Sequence, residues 1–312
     1  MHKLKKNNSK RGDARLIIGA SVACNLHCKF CVFGDFRNEF VELPTKEILA
    51  ALKRYAKLCD RVAFTGGEPT LRQDLPEIVR SAKSLGYRVI LQSNGRMYAY
   101  RDLCRSLIDC GVDDFHLSLS AHSSKLYDSL AMTKGSFPEV IAGITNLVSL
   151  GQSVSVNTVV NAYNVSSLEK IAKLLVRLGV KDGQFSLIRK IPDSKGVFRK
   201  GYFTRNSAPK AIRQIFKAVD IFNKAGLVSR IQMIPPCHLP GYEKYYGKYL
   251  GKTKNIVIPP RTKGGRKVHI NIGEQVVFCK CNGCKACIYN SSCEGIAEFA
   301  PFSPRPVLKK RL

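Results

Sequence analysis

Two hydrophobic rhythms alternate along this chain. "RLIIGAS", "RVAFT", "RVILQS", "FHLSLS", "SVSVNTVV" and "GQFSLIR" are short apolar or alternating runs, and they predict strands. Between them lie "TKEILAALKRYAKL", "LPEIVRSAKSLG", "YRDLCRSLIDCG", "FPEVIAGITNLVSLG" and "SSLEKIAKLLVRLG", whose apolar residues return every three or four positions, as amphipathic helices require. Gly86, Gly111 and Gly151 stop three of these helices, and Thr45 stands where it can cap the first.

Strand and helix alternating with right-handed crossovers produce a parallel sheet, so the six units predict an α/β fold, a closed or partly closed barrel. In such folds chemistry collects at the carboxyl ends of the strands. That rule brings several stretches to one mouth: "CNLHCKFC" (24–31) after the first strand, "TGGEPT" (65–70) after the second and "SNG" (93–95) after the third. Ser118 and Ser120 end the fourth strand, and Asn157 and Arg189, at the ends of the fifth and sixth, face the same mouth. Past about residue 200 come one more helix, "NSAPKAIRQIFKAVDIFNKAG", and one more strand, "VSRIQMI", and the alternation stops. The expected division is a basic arm (1–14), a barrel core (15–230) and a cysteine-rich extension (231–312).

The chain has 312 residues, 45% of them hydrophobic and 24% charged, which suits a globular protein and excludes wholesale disorder. No apolar run reaches the roughly 18 residues that cross a bilayer, and the basic start lacks the apolar core of a secretory signal, so a cytoplasmic protein with no membrane partner is expected. Twelve cysteines in such a chain point to metal or redox chemistry more than to disulfides. Eight of them fall in two short regions, Cys24, Cys28 and Cys31, then Cys279, Cys281, Cys284, Cys287 and Cys293. Cys59, Cys104 and Cys110 sit singly in apolar patterns and read as buried spectators. The net charge of +28 is spread mainly along helix faces, although "GKTKNIVIPPRTKGGRKVH" carries no acid and could hold an anionic substrate or RNA phosphates.

Cys24-x3-Cys28-x2-Cys31 is one ligand short of an ordinary four-thiolate site. On a cubane iron–sulfur cluster three cysteines fill three irons and leave the fourth open to the amine and carboxylate of a small molecule. Phe30 would shield one side of such a cluster.

With Phe30 inside the cysteine loop and "GGEP" after the second strand, the chain resembles the radical S-adenosylmethionine (SAM) superfamily over about residues 15 to 190. The resemblance implies a partial (β/α)6 TIM-type barrel, with a [4Fe–4S] cluster on Cys24, Cys28 and Cys31. That cluster would chelate SAM and cleave it to a 5′-deoxyadenosyl radical. It further implies that Gly66, Gly67, Glu68 and Pro69 approach the methionine amine, that Ser93 and Asn94 approach SAM, and that Ser118 meets the ribose or carboxylate. Reduced ferredoxin or flavodoxin would be the electron donor. His27, between the cysteines, is expected to point outward or pack on the loop.

Cys284-x2-Cys287-x5-Cys293, followed by Glu294-Gly295, resembles the auxiliary-cluster extension of SPASM and twitch enzymes. A full SPASM domain continues with a cysteine where this chain has Ala297, which suggests the shorter form with one auxiliary [4Fe–4S] cluster. Its fourth ligand would be Cys237, with Cys281 or Cys279 as alternatives, or the site is three-ligated. Four thiolates could also hold zinc. The resemblance extends first to enzymes that modify a peptide or protein. A small-molecule enzyme similar to the GTP cyclase of molybdenum-cofactor synthesis is the second reading, although this tail lacks that enzyme's longer spacing before the last cysteine and its terminal double glycine. An RNA-modifying enzyme and a non-catalytic iron–sulfur carrier complete the alternatives.

Overall fold

The computed structural model describes residues 11, 12, 14–31, 33, 34, 37–188, 201–247, 254–263, 278–297, 300–303, 305 and 307. The chain runs β1 (Ala14–Ser21), β2 (Phe40–Val41), α1 (Thr45–Tyr55), β3 (Cys59–Gly66), α2 (Leu75–Ser84), β4 (Arg88–Ser93), α3 (Arg101–Asp109) and β5 (Asp114–Ser118). It continues through α4 (Ser124–Ala131), α5 (Ser136–Ser149), β6 (Val154–Val160), α6 (Leu168–Arg177), β7 (Asp182–Leu187), α7 (Ala208–Lys224) and β8 (Val228–Gln232). The last pieces are β9 (Lys254–Ile258), β10 (Arg261–Thr262), β11 (Phe278–Cys279) and β12 (Ile296–Ala297).

Eight strands form one sheet in the order β8-β7-β6-β5-β4-β3-β1-β9, every pair parallel. This is the α/β sheet of a partial TIM-type barrel, with helices on its outer face. Side chains alternate in and out of a strand, so Leu16, Ile18, Val62, Phe64, Val89, Leu91, Phe115, Leu117 and Val156 all bury against the helices. On β4 to β8 the opposite positions include polar side chains, Gln92 on β4, His116 and Ser118 on β5, Asn157 on β6, Gln184 on β7 and Gln232 on β8, while β1 and β3 present Ile17 and Ala63 there. Near the amino ends of the strands Arg88 pairs with Asp114 at 2.6 Å and Arg230 with Asp182 at 2.5 Å. The inner wall is therefore not the packed apolar layering of a closed barrel; its polar side chains suit contact with a solute.

Besides the two-residue strands β2, β10, β11 and β12, two longer elements lie outside the sequence pattern. Helix α4 occupies the segment between the fourth strand and the helix that follows it, and β9, from the basic stretch, pairs with β1 in register from Ala14–Lys254 to Ile18–Ile258. One local expectation fails. Thr45 is the first residue of α1 rather than its cap, and its hydroxyl hydrogen-bonds the Asp74 carboxylate, tying α1 to the start of α2. Cys59, Cys104 and Cys110 are buried among apolar side chains; burial pushes the Cys59 and Cys104 thiols up to about 11, which makes them inert spectators at neutral pH. Among the described residues no helix is long and apolar enough to cross a membrane.

Candidate functional site

The cysteine loop leaves the carboxyl end of β1 and is held at its start by a buried clamp. Arg72, whose side chain is 7% exposed, donates to the carbonyls of Ala20 (2.8 Å) and Leu43 (3.0 Å) and pairs with Glu42 and Asp74. Glu42 in turn accepts from Ser21 Oγ at 2.9 Å and from the backbone amides of Val22 and Ala23. The middle of the loop is held by α4, where the amides of His27 and Lys29 donate to the last carbonyls of the helix, Ala131 (3.0 Å) and Leu130 (2.9 Å). Carbonyls at a helix end have no partner within the helix, so α4 is a ready backbone template. Arg37 donates to the Leu26 carbonyl, and Arg96 reaches the Asn25 carbonyl while pairing with Glu139 at 2.5 Å. His27 is exposed, as expected.

Gly66 and Gly67 pack directly on this loop. The amide of Gly67 donates to Ser21 O at 2.6 Å and that of Glu68 to Ala23 O at 2.7 Å. A Cβ on Gly66 would stand 2.2 Å from Ser21 O, and one on Gly67 2.2 Å from Ala23 O; Gly66 also has a φ of +124°. The room left by the absent side chains is taken by the protein's own backbone. The glycines seat the cysteine loop on β3.

Glu68 is fully buried. Its Oε1 accepts from Thr70 N (3.1 Å), Thr70 Oγ1 (2.5 Å) and Ser93 Oγ (2.8 Å), and its Oε2 accepts from Asn94 N (2.7 Å). Burial raises its pKa, and these four donors act against that rise. The carboxylate ties the end of β3 to the end of β4. Pro69 is buried at the start of a short turn whose first carbonyl accepts from Arg72 N. Asn94 crosses to the cysteine loop: its Nδ2 donates to Asn25 Oδ1 at 2.7 Å and lies 3.7 Å from Cys24 Sγ. Glu68, Ser93, Asn94 and the cysteine loop thus form one bonded network. Ser118 is exposed farther along the mouth and hydrogen-bonds none of them. Asn157 accepts from Ser186 and Gln184 on β7, and Arg189 lies outside the described residues.

Cys24, Cys28 and Cys31 are part-buried thiols, and each lies within electrostatic reach of the others. Burial pushes Cys28 up to about 12, so its thiolate needs a neighbouring cation. Among the described residues no three His, Cys, Asp or Glu side chains converge as a formed ion site. Three thiols on one short loop, one fewer than a closed four-ligand zinc site uses, are the donor set that a cluster with one open iron takes.

A second group lies in the extension. Cys281 and Cys284 stand with their sulfurs 3.4 Å apart, Cys284 and Cys287 interact, and Cys237 interacts with both Cys287 and Cys293. The sulfur of Cys293 accepts from the Gly295 amide at 3.2 Å, and Tyr246 bonds the neighbouring Glu294. The side chain of Cys279 lies outside the described residues.

Residues 19–175 match the family model of the radical SAM superfamily, about half of the chain. The chain belongs to the radical SAM superfamily. It is therefore an enzyme of a family that works with a [4Fe–4S] cluster and SAM. A probable GTP 3′,8-cyclase of Saccharolobus solfataricus is 36% identical over 163 residues, 51% of this chain and 52% of the relative. An AdoMet-dependent heme synthase of Oleidesulfovibrio alaskensis is 31% identical over 159 residues, 50% of this chain and 41% of the relative. The chain thus spans about half the length of the curated relatives it matches. Among solved structures, Streptococcus suis SuiB bound to S-adenosylmethionine has the same fold, with a TM-score of 0.66 at 16% identity, covering 92% of this chain and 75% of that one. Native anSMEcpe with bound AdoMet gives 0.57 at 19% identity over 70% and 64% of the two chains.

Residues Glu42, Arg72 and Arg96 and the carboxyl end of α4 carry much of the site and escaped the sequence reading. Arg72 and Asp74 in "LRQD", directly after "GGEPT", are the nearest local signal.

Proposed function

We propose that this protein cleaves SAM reductively and uses the resulting radical to abstract hydrogen from a small-molecule substrate bound in the polar barrel. The observation that carries this reading is the junction at the ends of β1, β3 and β4, where a three-cysteine loop, Glu68 and Asn94 are joined by hydrogen bonds. Cys24, Cys28 and Cys31 would hold a [4Fe–4S] cluster, which supplies the electron that splits SAM into methionine and a 5′-deoxyadenosyl radical. The chain's own part is to hold that loop against β3 and β4, to keep Asn94 on the cysteine side, and to present Ser118 at the mouth for the ribose or carboxylate of SAM. Gly66, Gly67 and Pro69 act through the loop they support.

The small-molecule reading is favoured over peptide modification because the relatives above 30% identity carry names that mention GTP and heme. SuiB with its precursor peptide and anSMEcpe with a peptide support only the fold at their 16–20% identity. Cys284, Cys287, Cys293 and Cys237 would hold an auxiliary [4Fe–4S] cluster, the thiol that neighbours both Cys287 and Cys293 being the one that sequence resemblance suggested as fourth ligand.

The test is anaerobic reconstitution followed by reduction with dithionite in the presence of SAM. 5′-Deoxyadenosine is expected, and Cys24→Ala, Cys28→Ala and Cys31→Ala should each abolish it; turnover surviving in any of them refutes the assignment. Iron and sulfide should reach two cubanes per chain and fall to one in Cys284→Ala/Cys287→Ala. One cubane with stoichiometric zinc in the parent protein would defeat the second cluster. Stimulation of 5′-deoxyadenosine formation by GTP or a porphyrin, and not by peptides, is the expected substrate response. The reverse pattern overturns the small-molecule reading.

A further inference from the structure

We propose that the inner wall of β6, β7 and β8 is a substrate-recognition surface that reads an uncharged imide edge, a ring N–H between two carbonyls, as in a uracil-type base. The inference rests on the small-molecule reading proposed above and names the chemical class that its substrate carries.

The place follows from the order of the sheet, β8-β7-β6-β5-β4-β3-β1-β9. The cysteine loop, the Gly66–Pro69 turn and Asn94 occupy the ends of β1, β3 and β4, and Ser118 ends β5. That leaves β6 to β8 as inner wall free of the cluster and SAM residues. The backbone there pairs Asn157 with Gln184 and Ser186 with Gln232, so amide side chains from three adjacent strands meet around one hydroxyl. Ser186 Oγ lies 2.8 Å from Asn157 Oδ1, 3.2 Å from Gln184 Nε2 and 3.3 Å from Gln232 Oε1. Gln184 Nε2 also donates to Asn157 Oδ1 at 3.2 Å.

These bonds settle which end of each amide is already used. A side-chain amide has one carbonyl acceptor and one NH2 donor. Asn157 and Gln232 commit their oxygens to the network, and Gln184 commits its NH2. Among the described residues, Asn157 Nδ2, Gln184 Oε1 and Gln232 Nε2 have no hydrogen-bond partner, and all three side chains are only part-buried. From β6 to β8 the open groups therefore run donor, acceptor, donor. The complementary edge is acceptor, donor, acceptor, which one ring supplies as C=O, N–H, C=O.

The surroundings suit an edge without charge. Arg230, the backbone partner of Gln184, is paired with Asp182 at 2.5 Å. The charged groups that act on His116, on the inner face of β5, are two acids and two bases, Asp182, Arg230, Asp114 and Arg15, and burial keeps its ring neutral by lowering its pKa. An anionic group would meet Asp182 and Asp114 as readily as the arginines. A neutral edge forfeits nothing here, and the buried amides reject a wrong pattern because a mismatched donor or acceptor is left unpaired.

The experiment is titration calorimetry on the reconstituted full chain with SAM present and no reductant, using uridine and lumazine as imide probes of one and two rings. Both should bind, and methylating the imide nitrogen should weaken each by about tenfold or more, because Gln184 Oε1 then faces no donor. Guanosine, whose edge reads acceptor, donor, donor, fits two of the three positions and should bind about tenfold more weakly than uridine. The variant Gln232→Glu keeps an oxygen for Ser186 and puts a second oxygen in place of the open NH2. It should lose affinity for uridine and gain it for guanosine, about tenfold each way, and the gain itself reports a folded variant. Failure of both imides to bind overturns the proposal, as does equal affinity for uridine and its methylated form, or a Gln232→Glu variant that does not switch. Preference for diaminopurine riboside, whose edge reads donor, acceptor, donor, would mean that the amides stand the other way round and overturns it too. Weakened SAM binding in Gln232→Glu with uridine binding unchanged overturns it in favour of SAM as the occupant. Absence of 5′-deoxyadenosine from the parent protein with dithionite is a separate result: it removes the catalytic reading, and the titrations then decide the recognition surface by themselves.

Discussion

The side-chain amide of Asn94 bridges β4 to the first cysteine of the loop: Nδ2 lies 2.7 Å from Asn25 Oδ1 and 3.7 Å from Cys24 Sγ. Its orientation is set from behind, because Asn94 Oδ1 accepts from Arg96 N at 3.0 Å. An N–H directed at a ligand sulfur draws charge from it and favours the reduced form of a cluster. Asn94→Ala should therefore make the potential of the reconstituted cluster more negative, and Asn94→Asp more negative still, since it removes the donor and adds a negative charge. A redox titration followed by electron paramagnetic resonance measures both. Equal potentials in all three proteins would leave Asn94 only its bond to Asn25.

Glu68 gives a second prediction. Its two oxygens receive backbone amides from opposite sides, Thr70 N on Oε1 and Asn94 N on Oε2, in a site without solvent. Glutamine can keep one of these acceptors but must turn an NH2 group toward the other amide. Leaving a buried donor unpaired costs about 1–3 kcal/mol, so Glu68→Gln should lower the unfolding free energy by that order. Denaturant unfolding checks it. Ser93→Ala removes one donor to Glu68 and also takes away the acceptor of the buried Gly95 amide, which donates to Ser93 Oγ at 3.0 Å, so it too should cost about 1–3 kcal/mol.

Much of this fold is legible because β1 and β3 to β8 carry their burial in their own short spans and each is separated from the next by a periodic helix. Helix α4 was missed because "SKLYDSLA" is two turns long and ends at Met132, with no glycine to mark it. Strand β9 was hidden inside a run of lysines, and its partner Ala14–Ile18 lies some 240 residues away, where no local pattern can reveal it. The thiols and "GGEP" stood out because their chemistry is concentrated in adjacent residues. The role of Gly66 and Gly67 did not, because it depends on the carbonyls of Ser21 and Ala23 coming from another strand. Arg72 was silent for the same reason: beyond its local pair with Asp74, its partners Ala20, Glu42 and Leu43 come from elsewhere in the chain.

That packing makes a third prediction. In Gly67→Ala the new methyl would meet the carbonyls of Ala23 and Val22 at 2.2 and 2.5 Å, both backbone atoms that cannot rotate aside. The loop must lift from β3, at a cost of about 1–3 kcal/mol or more for an overpacked contact. Thermal unfolding should show the loss, and iron incorporation at the first cluster should fall while that of the Cys284–Cys287 group is kept. An alanine variant with full iron content and parent stability would contradict the close seating of the loop.

The fourth prediction concerns pH. Asp128 is partly buried, which alone would raise its pKa, but the Gly135 amide, the Ser136 hydroxyl and the Phe137 amide donate to it and hold it below the usual carboxylate value. These groups open α5, so the carboxylate also meets the positive end of that helix. A depressed carboxyl contributes its stability above the unfolded pKa, about 3.9, and loses it as pH falls through the lower folded value. Asp128→Asn should therefore cost about 1 kcal/mol at pH 7, the usual range for a helix cap, and the gap between variant and parent should narrow steadily below about pH 4. Chemical unfolding at pH 7, 5 and 3.5 measures this directly. A gap that is constant across the series would mean that the bonds matter and the charge does not.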